Sequence, residues 1–157
     1  MKIEQDSAQV RFPPPFVYLG VLLIGFGAER FIDLRSLGLD RTLGLGLGAL
    51  LCLAGLGVGL AATSRFRRAG TEVKPWRAST GIVESGPFRW TRNPMYLGMA
   101  LIYAGIAVAL DGPIALILLP VLIAIIQTQV ITREERYLER KFGEAYSRYS
   151  AVTRRWL

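Results

Sequence analysis

The chain has 157 residues, of which 52% are hydrophobic and 20% charged, with 19 Lys and Arg against 12 Asp and Glu. That length suits one domain and is too short for two of ordinary size. Histidine is absent and cysteine occurs once. This excludes imidazole metal sites, Ser-His-Asp and Cys-His nucleophile systems, disulfide frameworks within the chain and thiolate metal clusters.

The apolar residues form long charge-free blocks and the charges form clumps between them, the pattern of a small polytopic membrane protein. Met1–Arg11 reads as a short polar tail, and Pro13, Pro14 and Pro15 stop a helix from reaching backwards. The tail mixes both charges and no small-residue cleavage site follows an isolated apolar core, which argues against a cleaved signal. A first apolar run extends from Phe16 to about Ala28. Glu29, Arg30 and Asp33 end it, unless a tilted helix continues to Leu34. The second run, Thr42 to about Thr63, is long enough for a hydrocarbon core of about 30 Å. The third covers Met95–Leu110 and the fourth Ile114 to about Ile131. Asp111-Gly112-Pro113 between them predicts a tight antiparallel hairpin.

Positive charge predicts the orientation. Arg65–Arg92 and the tail after the fourth run hold most of the Lys and Arg, and Lys2 and Arg11 add to them. The segment after the first run has only Arg30, Arg35 and Arg41. Both termini and the central loop are therefore expected in the cytoplasm, with anionic headgroups rather than nucleic acid as the partner of the basic residues.

Gly44-Leu45-Gly46-Leu47-Gly48 lacks the strand and spacing of a nucleotide loop. On a helix, Gly44, Gly48, Cys52, Gly55 and Gly59 share one smooth face that lets a neighbouring helix approach closely. In the central loop, Pro94 suits the first turn of the third span. Arg92 and Asn93 then precede a helix N-terminus, a place that attracts anions. The plainer reading is a juxtamembrane anchor, with Trp90 and Tyr96 at the interface.

Thr132–Ser150 reads as one amphipathic helix with Leu138, Phe142, Ala145, Tyr146 and Tyr149 on a stripe. Glu134 and Glu135 flank that stripe. Carboxylates so placed need partners, either central-loop arginines or a ligand's hydroxyls or amine, and spacing does not choose between them.

The run from Ser85 through Arg92-Asn93-Pro94-Met95-Tyr96 to Gly98, followed by Glu134–Tyr146, Tyr149 and Arg154-Arg155-Trp156-Leu157, resembles the integral-membrane methyltransferases. That family includes isoprenylcysteine carboxyl methyltransferases and phospholipid N-methyltransferases, and the resemblance covers about Gly70 to Leu157. It implies an all-α membrane protein of about four spans, acting on a lipophilic acceptor with S-adenosylmethionine as methyl donor. The single domain would comprise two N-terminal spans (1–64) and a cofactor-binding part (65–157). By position, the cofactor contacts implied are Thr80, Gly81, Ile82, Val83, Phe88, Arg92, Asn93, Pro94, Met95 and Tyr96, with Glu134 and Glu135 closing the site. An inner-membrane location goes with this reading.

The sequence departs from the family at two places. Asn93 stands where histidine is commonest, and Val130 stands where the prenylcysteine enzymes carry an arginine for the substrate carboxylate. No catalytic base is implied, because methyl transfer needs mainly alignment of donor and nucleophile. A non-enzymatic four-span protein, such as a transporter subunit or assembly factor, is the rival of another class. It predicts an ionisable group deep in a span, which spans two to four lack. A sterol-reductase-like enzyme with a nicotinamide cofactor is the enzymatic rival, but such chains are far longer.

Overall fold

A computed structural model describes residues 4–10, 12–32, 36–72 and 75–157, and the described residues are helical with no strand. Asp33 and Leu34, considered for the end of the first run, and Lys2, Arg11, Arg35 and Lys74 of the charge pattern lie outside them.

Helix α1 covers Pro14–Ala28, with prolines in its first turn, where a missing N–H costs nothing. Helix α2 covers Arg41–Arg68. Asp40 caps it by accepting from the Thr42 and Leu43 amides at 2.8 and 3.3 Å. It runs five residues past Thr63, because Arg65, Arg67 and Arg68 suit the negative end of the helix dipole. That extension carries Phe66 to the loop ahead of α3 (Pro94–Ala109). Asp111 takes a positive φ of 54° in the turn to α4 (Pro113–Ile126). A π-helical turn, Gln127–Ile131, joins α4 without a break to α5 (Thr132–Phe142).

The expected single tail helix is instead two. Gly143 adopts φ 52° and ψ −124°, a conformation open to glycine, and α6 (Glu144–Val152) starts in a new direction. The stripe is correspondingly interrupted: Tyr146 and Tyr149 are buried, Tyr137 joins them, and Ala145 is exposed.

The glycine face of α2 does what its spacing predicts. It lies along α3, which presents glycines of its own. A Cβ on Gly48 would fall 2.5 Å from the Gly105 carbonyl oxygen, and one on Gly55 would fall 2.5 Å from that of Gly98. Cys52 is a small residue within this contact, its thiol 3.7 Å from the Ile102 carbonyl oxygen. Helix α4 lies against α1, where Gly25 meets the Ala115 backbone. Tyr18, Leu22, Tyr103, Leu122 and Ile126 fill the core between these helices.

Two hydrogen bonds define one end of the bundle. The Leu37 amide donates to Asp111 at 2.8 Å, and the Ile114 amide donates to Glu29 at 3.1 Å. The opposite end holds the α2–α3 loop, α5, α6 and the N-terminal segment. That segment is more than a polar tail, since Ser7, Ala8 and Val10 are buried. Glu4 pairs with Arg77, and Asp6 pairs with Lys141.

Helix α2 and the continuous helix Pro113–Phe142 are long and apolar enough to cross a membrane. Most of the apolar stretch of α2 is not buried within the protein, and Leu50, Leu53 and Leu60 are exposed. A continuous apolar flank of this kind suits a non-aqueous surrounding.

Candidate functional site

The α2–α3 loop folds over the end of the bundle through short local bonds. Gly70 takes a positive φ of 65°. The Thr80 amide donates to Thr71 Oγ1, and the Thr80 hydroxyl donates to the Gly70 carbonyl, both at 3.0 Å. A 3-10 turn, Gly86–Arg89, then drives Phe88 inwards. Its ring meets that of Phe66 edge to face, 5.1 Å between centroids. The Tyr149 hydroxyl donates to the Phe88 carbonyl at 2.8 Å and ties α6 to this loop.

The C-terminal strand of chain is stitched alongside. The Arg92 amide donates to the Arg154 carbonyl at 2.9 Å. The Thr91 hydroxyl and the Asn93 side-chain amide both donate to the Arg155 carbonyl, at 3.1 and 2.9 Å. The Trp156 indole N–H donates to Gln127 Oε1 in the π turn at 2.8 Å.

These elements surround a pocket whose empty space, open mouth included, is about 810 Å³. Apolar and aromatic groups make most of its wall: Phe66, Val83, Phe88, Met95, Leu138, Tyr146 and Tyr149. Arg92, Glu134 and Glu135, with Glu72 and Arg77, make the charged part.

Glu134 accepts a hydrogen bond from the Tyr96 hydroxyl at 2.6 Å. It is partly open to the pocket, yet burial among protein atoms pushes its carboxyl up to about 7. The Tyr96 bond opposes that rise, and the neighbouring Glu135 charge adds to it. Glu135 answers differently. Its two oxygens accept from Arg155 Nε and Nη2 at 2.9 and 2.7 Å, while Arg92 Nη1 stands 3.4 Å away. The question left open by spacing thus has two answers: Glu135 takes arginines, one of them from the tail, and Glu134 takes only a hydroxyl. Burial also pushes the Tyr146 phenol up to about 12, with the Glu135 charge adding to the rise and the nearby Arg92 guanidinium opposing it.

Of the residues expected around a cofactor, Gly81, Ile82, Val83, Phe88, Arg92, Asn93, Pro94, Met95, Tyr96, Glu134 and Glu135 line this pocket. Thr80 does not, because its hydroxyl and amide are used to close the loop on Gly70 and Thr71. Trp90 is exposed as an interfacial anchor would be, but Tyr96 is buried. The pocket also takes in Ala8, Glu72, Arg77, Ser79 and Tyr137, which sequence reasoning missed. Tyr137 is an aromatic one residue from the foreseen stripe; nothing in the polar N-terminal segment announces Ala8.

Residues 43–145, two thirds of the chain, match the family described as phospholipid methyltransferase. The chain belongs to that family. An uncharacterized protein of Haemophilus influenzae is similar to it, 41% identical over 63 residues that make up 40% of this chain and all of that protein. No solved structure matches the chain. For a member of the phospholipid methyltransferase family, the pocket's donor set fits S-adenosylmethionine. Arg92 suits a carboxylate, Glu134 suits ribose hydroxyls or an ammonium, and Phe88, Tyr146 and Tyr149 offer faces to an adenine or a sulfonium. Arg92 Nε is buried and without a partner among the described residues, so this nitrogen has a hydrogen left for an acceptor.

Proposed function

We propose that this protein is an integral-membrane methyltransferase that moves a methyl group from S-adenosylmethionine to a lipophilic acceptor held in the bilayer. The observation that carries the reading is that Arg92 and Glu134 line one pocket together with an aromatic wall, in a chain of the phospholipid methyltransferase family.

S-adenosylmethionine supplies an electrophilic methyl carbon and leaves as a neutral thioether. Arg92 and the start of α3 hold the carboxylate, Glu134 holds the ribose or the amine, and the aromatic wall excludes water and favours the positive sulfonium. Displacement in line at carbon requires no covalent intermediate on the protein, which agrees with a pocket that contains neither histidine nor cysteine.

Helices α1 to α4 act as four spans, and the pocket end faces the cytoplasm across the inner membrane. The positive-inside bias supports this, since Arg65, Arg67, Arg68, Arg77, Arg89 and Arg92 lie at the pocket end. A second hollow of about 570 Å³ opens between α1 and α3, lined by Tyr18, Leu19, Leu22, Met99, Ile102 and Ile106 among others. It is almost wholly apolar, and Tyr18 in its wall donates its hydroxyl at 2.9 Å to the carbonyl of Tyr96, which lines the first pocket. An acyl chain lying there would bring its headgroup towards the donor. Val130, buried where the prenylcysteine enzymes have arginine, supports a neutral or amine headgroup over a carboxylate.

The test is incubation of the purified protein with methyl-labelled S-adenosylmethionine and a membrane extract. Label should enter the lipid-extractable fraction, and adenosylhomocysteine should bind in calorimetry. Failure of both would overturn the reading.

A further inference from the structure

Arg155 has no assigned part in the site, yet both its backbone and its side chain are held at this end of the molecule. Its carbonyl accepts from Thr91 and Asn93, which fixes its backbone beside the entrance to α3. Its guanidinium grips both oxygens of Glu135 in a two-pronged pair, the strongest geometry available to these groups. Glu135 also faces Arg92, but only at 3.4 Å, and Arg92 keeps a buried Nε with no partner among the described residues.

The side chains of Glu135 and Arg92 are each only 14% exposed. A carboxylate so enclosed needs a cation. Without Arg155 the remaining candidate within 4 Å, among the described residues, is Arg92. The two arginines therefore compete for one carboxylate, and the geometry gives it to Arg155.

We propose that Arg155 is a positioning residue: by occupying Glu135, it leaves the Arg92 guanidinium available to an anionic group of the ligand. This rests on the S-adenosylmethionine reading and deepens it, since the anionic group would be the ligand's carboxylate. Arg155 touches no ligand in this scheme. It acts by keeping Glu135 from closing onto Arg92.

The experiment compares two probes by calorimetry in detergent: S-adenosylhomocysteine, and its decarboxylated analogue, which keeps the adenosine, the thioether and the amine. R155A should weaken S-adenosylhomocysteine about tenfold, the scale of one lost charge-assisted hydrogen bond. The analogue's affinity should stay within about twofold, which also shows that the pocket remains folded. Adding Glu135→Gln to Arg155→Ala removes the competing charge and should recover most of the lost affinity for S-adenosylhomocysteine. Equal weakening of both probes by R155A would overturn the proposal in favour of a purely structural role, as would unchanged binding of both. Failure of the double variant to recover affinity would overturn it too. Failure of the wild-type protein to bind S-adenosylhomocysteine would instead remove the cofactor reading on which the proposal rests.

Discussion

The Tyr96 hydroxyl donates to Glu134 at 2.6 Å, linking the first turn of α3 to the first turn of α5 across 38 residues of sequence. Tyr96 also accepts, through its carbonyl, the hydroxyl hydrogen of Tyr18 in α1. Three helices thus meet at one residue, which lines the pocket of Arg92 and Glu134 and bonds to Tyr18 in the wall of the apolar hollow. A change in the charge of Glu134 is felt at that junction.

Ligand affinity should depend on pH through Glu134. Its carboxyl stands at about 7 against an ordinary 4.5. Ionisation therefore destabilises the ligand-free fold as pH rises from about 4.5 to about 7. A ligand amine or ribose favours the carboxylate, so binding below about pH 7 releases a proton, and affinity rises by up to about tenfold per pH unit before flattening. Calorimetry of adenosylhomocysteine in buffers of different ionisation enthalpy reads both effects. Glu134→Gln should abolish the dependence. Tyr96→Phe should move its midpoint upwards, because the lost hydrogen bond lowers the Glu134 value. A wild-type affinity flat across this range would contradict the assignment.

The glycines of α2 should divide sharply in their tolerance of alanine. A Cβ on Gly55 meets the Gly98 carbonyl oxygen at 2.5 Å, whereas one on Gly57 meets nothing within 4 Å. Gly55→Ala should destabilise by about 1–3 kcal/mol through overpacking. Gly57→Ala should be neutral or slightly stabilising through helix propensity. Thermal unfolding in detergent measures both, and equal effects would mean that α2 does not lie on α3 as described.

The two ends of the bundle should lie on opposite sides of the membrane. Ser36 is exposed near Asp111 at one end, and Ser147 is exposed on α6 at the other. In a Cys52→Ala background, Ser36→Cys should react with an impermeant maleimide only from outside and Ser147→Cys only from the cytoplasm. Reaction of both from the same side would refute the four-span arrangement.

Turnover should reward an acyl chain that fills the hollow between α1 and α3. In liposomes, kcat/KM should rise with alkyl length for a fixed amine headgroup, by up to about 0.8 kcal/mol or fourfold per methylene that becomes buried. Met99→Trp narrows the hollow. It should cancel the gain for long chains and leave a short soluble analogue nearly unaffected. A flat length series would exclude the hollow as the acceptor's seat.

The amino-acid sequence by itself determined the helical runs, their prolines, the glycine face of α2 and the direction of Glu134 and Glu135. Each depends on residues within a few turns of one another, where hydropathy and the rotation per residue are local properties. Within the site, local reading singled out Arg92 and Asn93 ahead of a helix start, whereas Gly81, Ile82, Val83 and Phe88 were legible only through the resemblance to the membrane methyltransferases. Tertiary structure alone decided the partners. Glu135 could have paired with any arginine of the central loop, and it holds Arg155, 20 residues on in another segment. Ala8 reaches the pocket because the N-terminal segment crosses to Tyr137 and Lys141, more than 100 residues away. Gly143 was compatible with a continuing helix, and only the closure of α6 onto Phe88 through Tyr149 makes it a break. Spacing along a chain fixes which face a side chain takes, but which charge or hydroxyl it meets there depends on how distant segments compete for the same space.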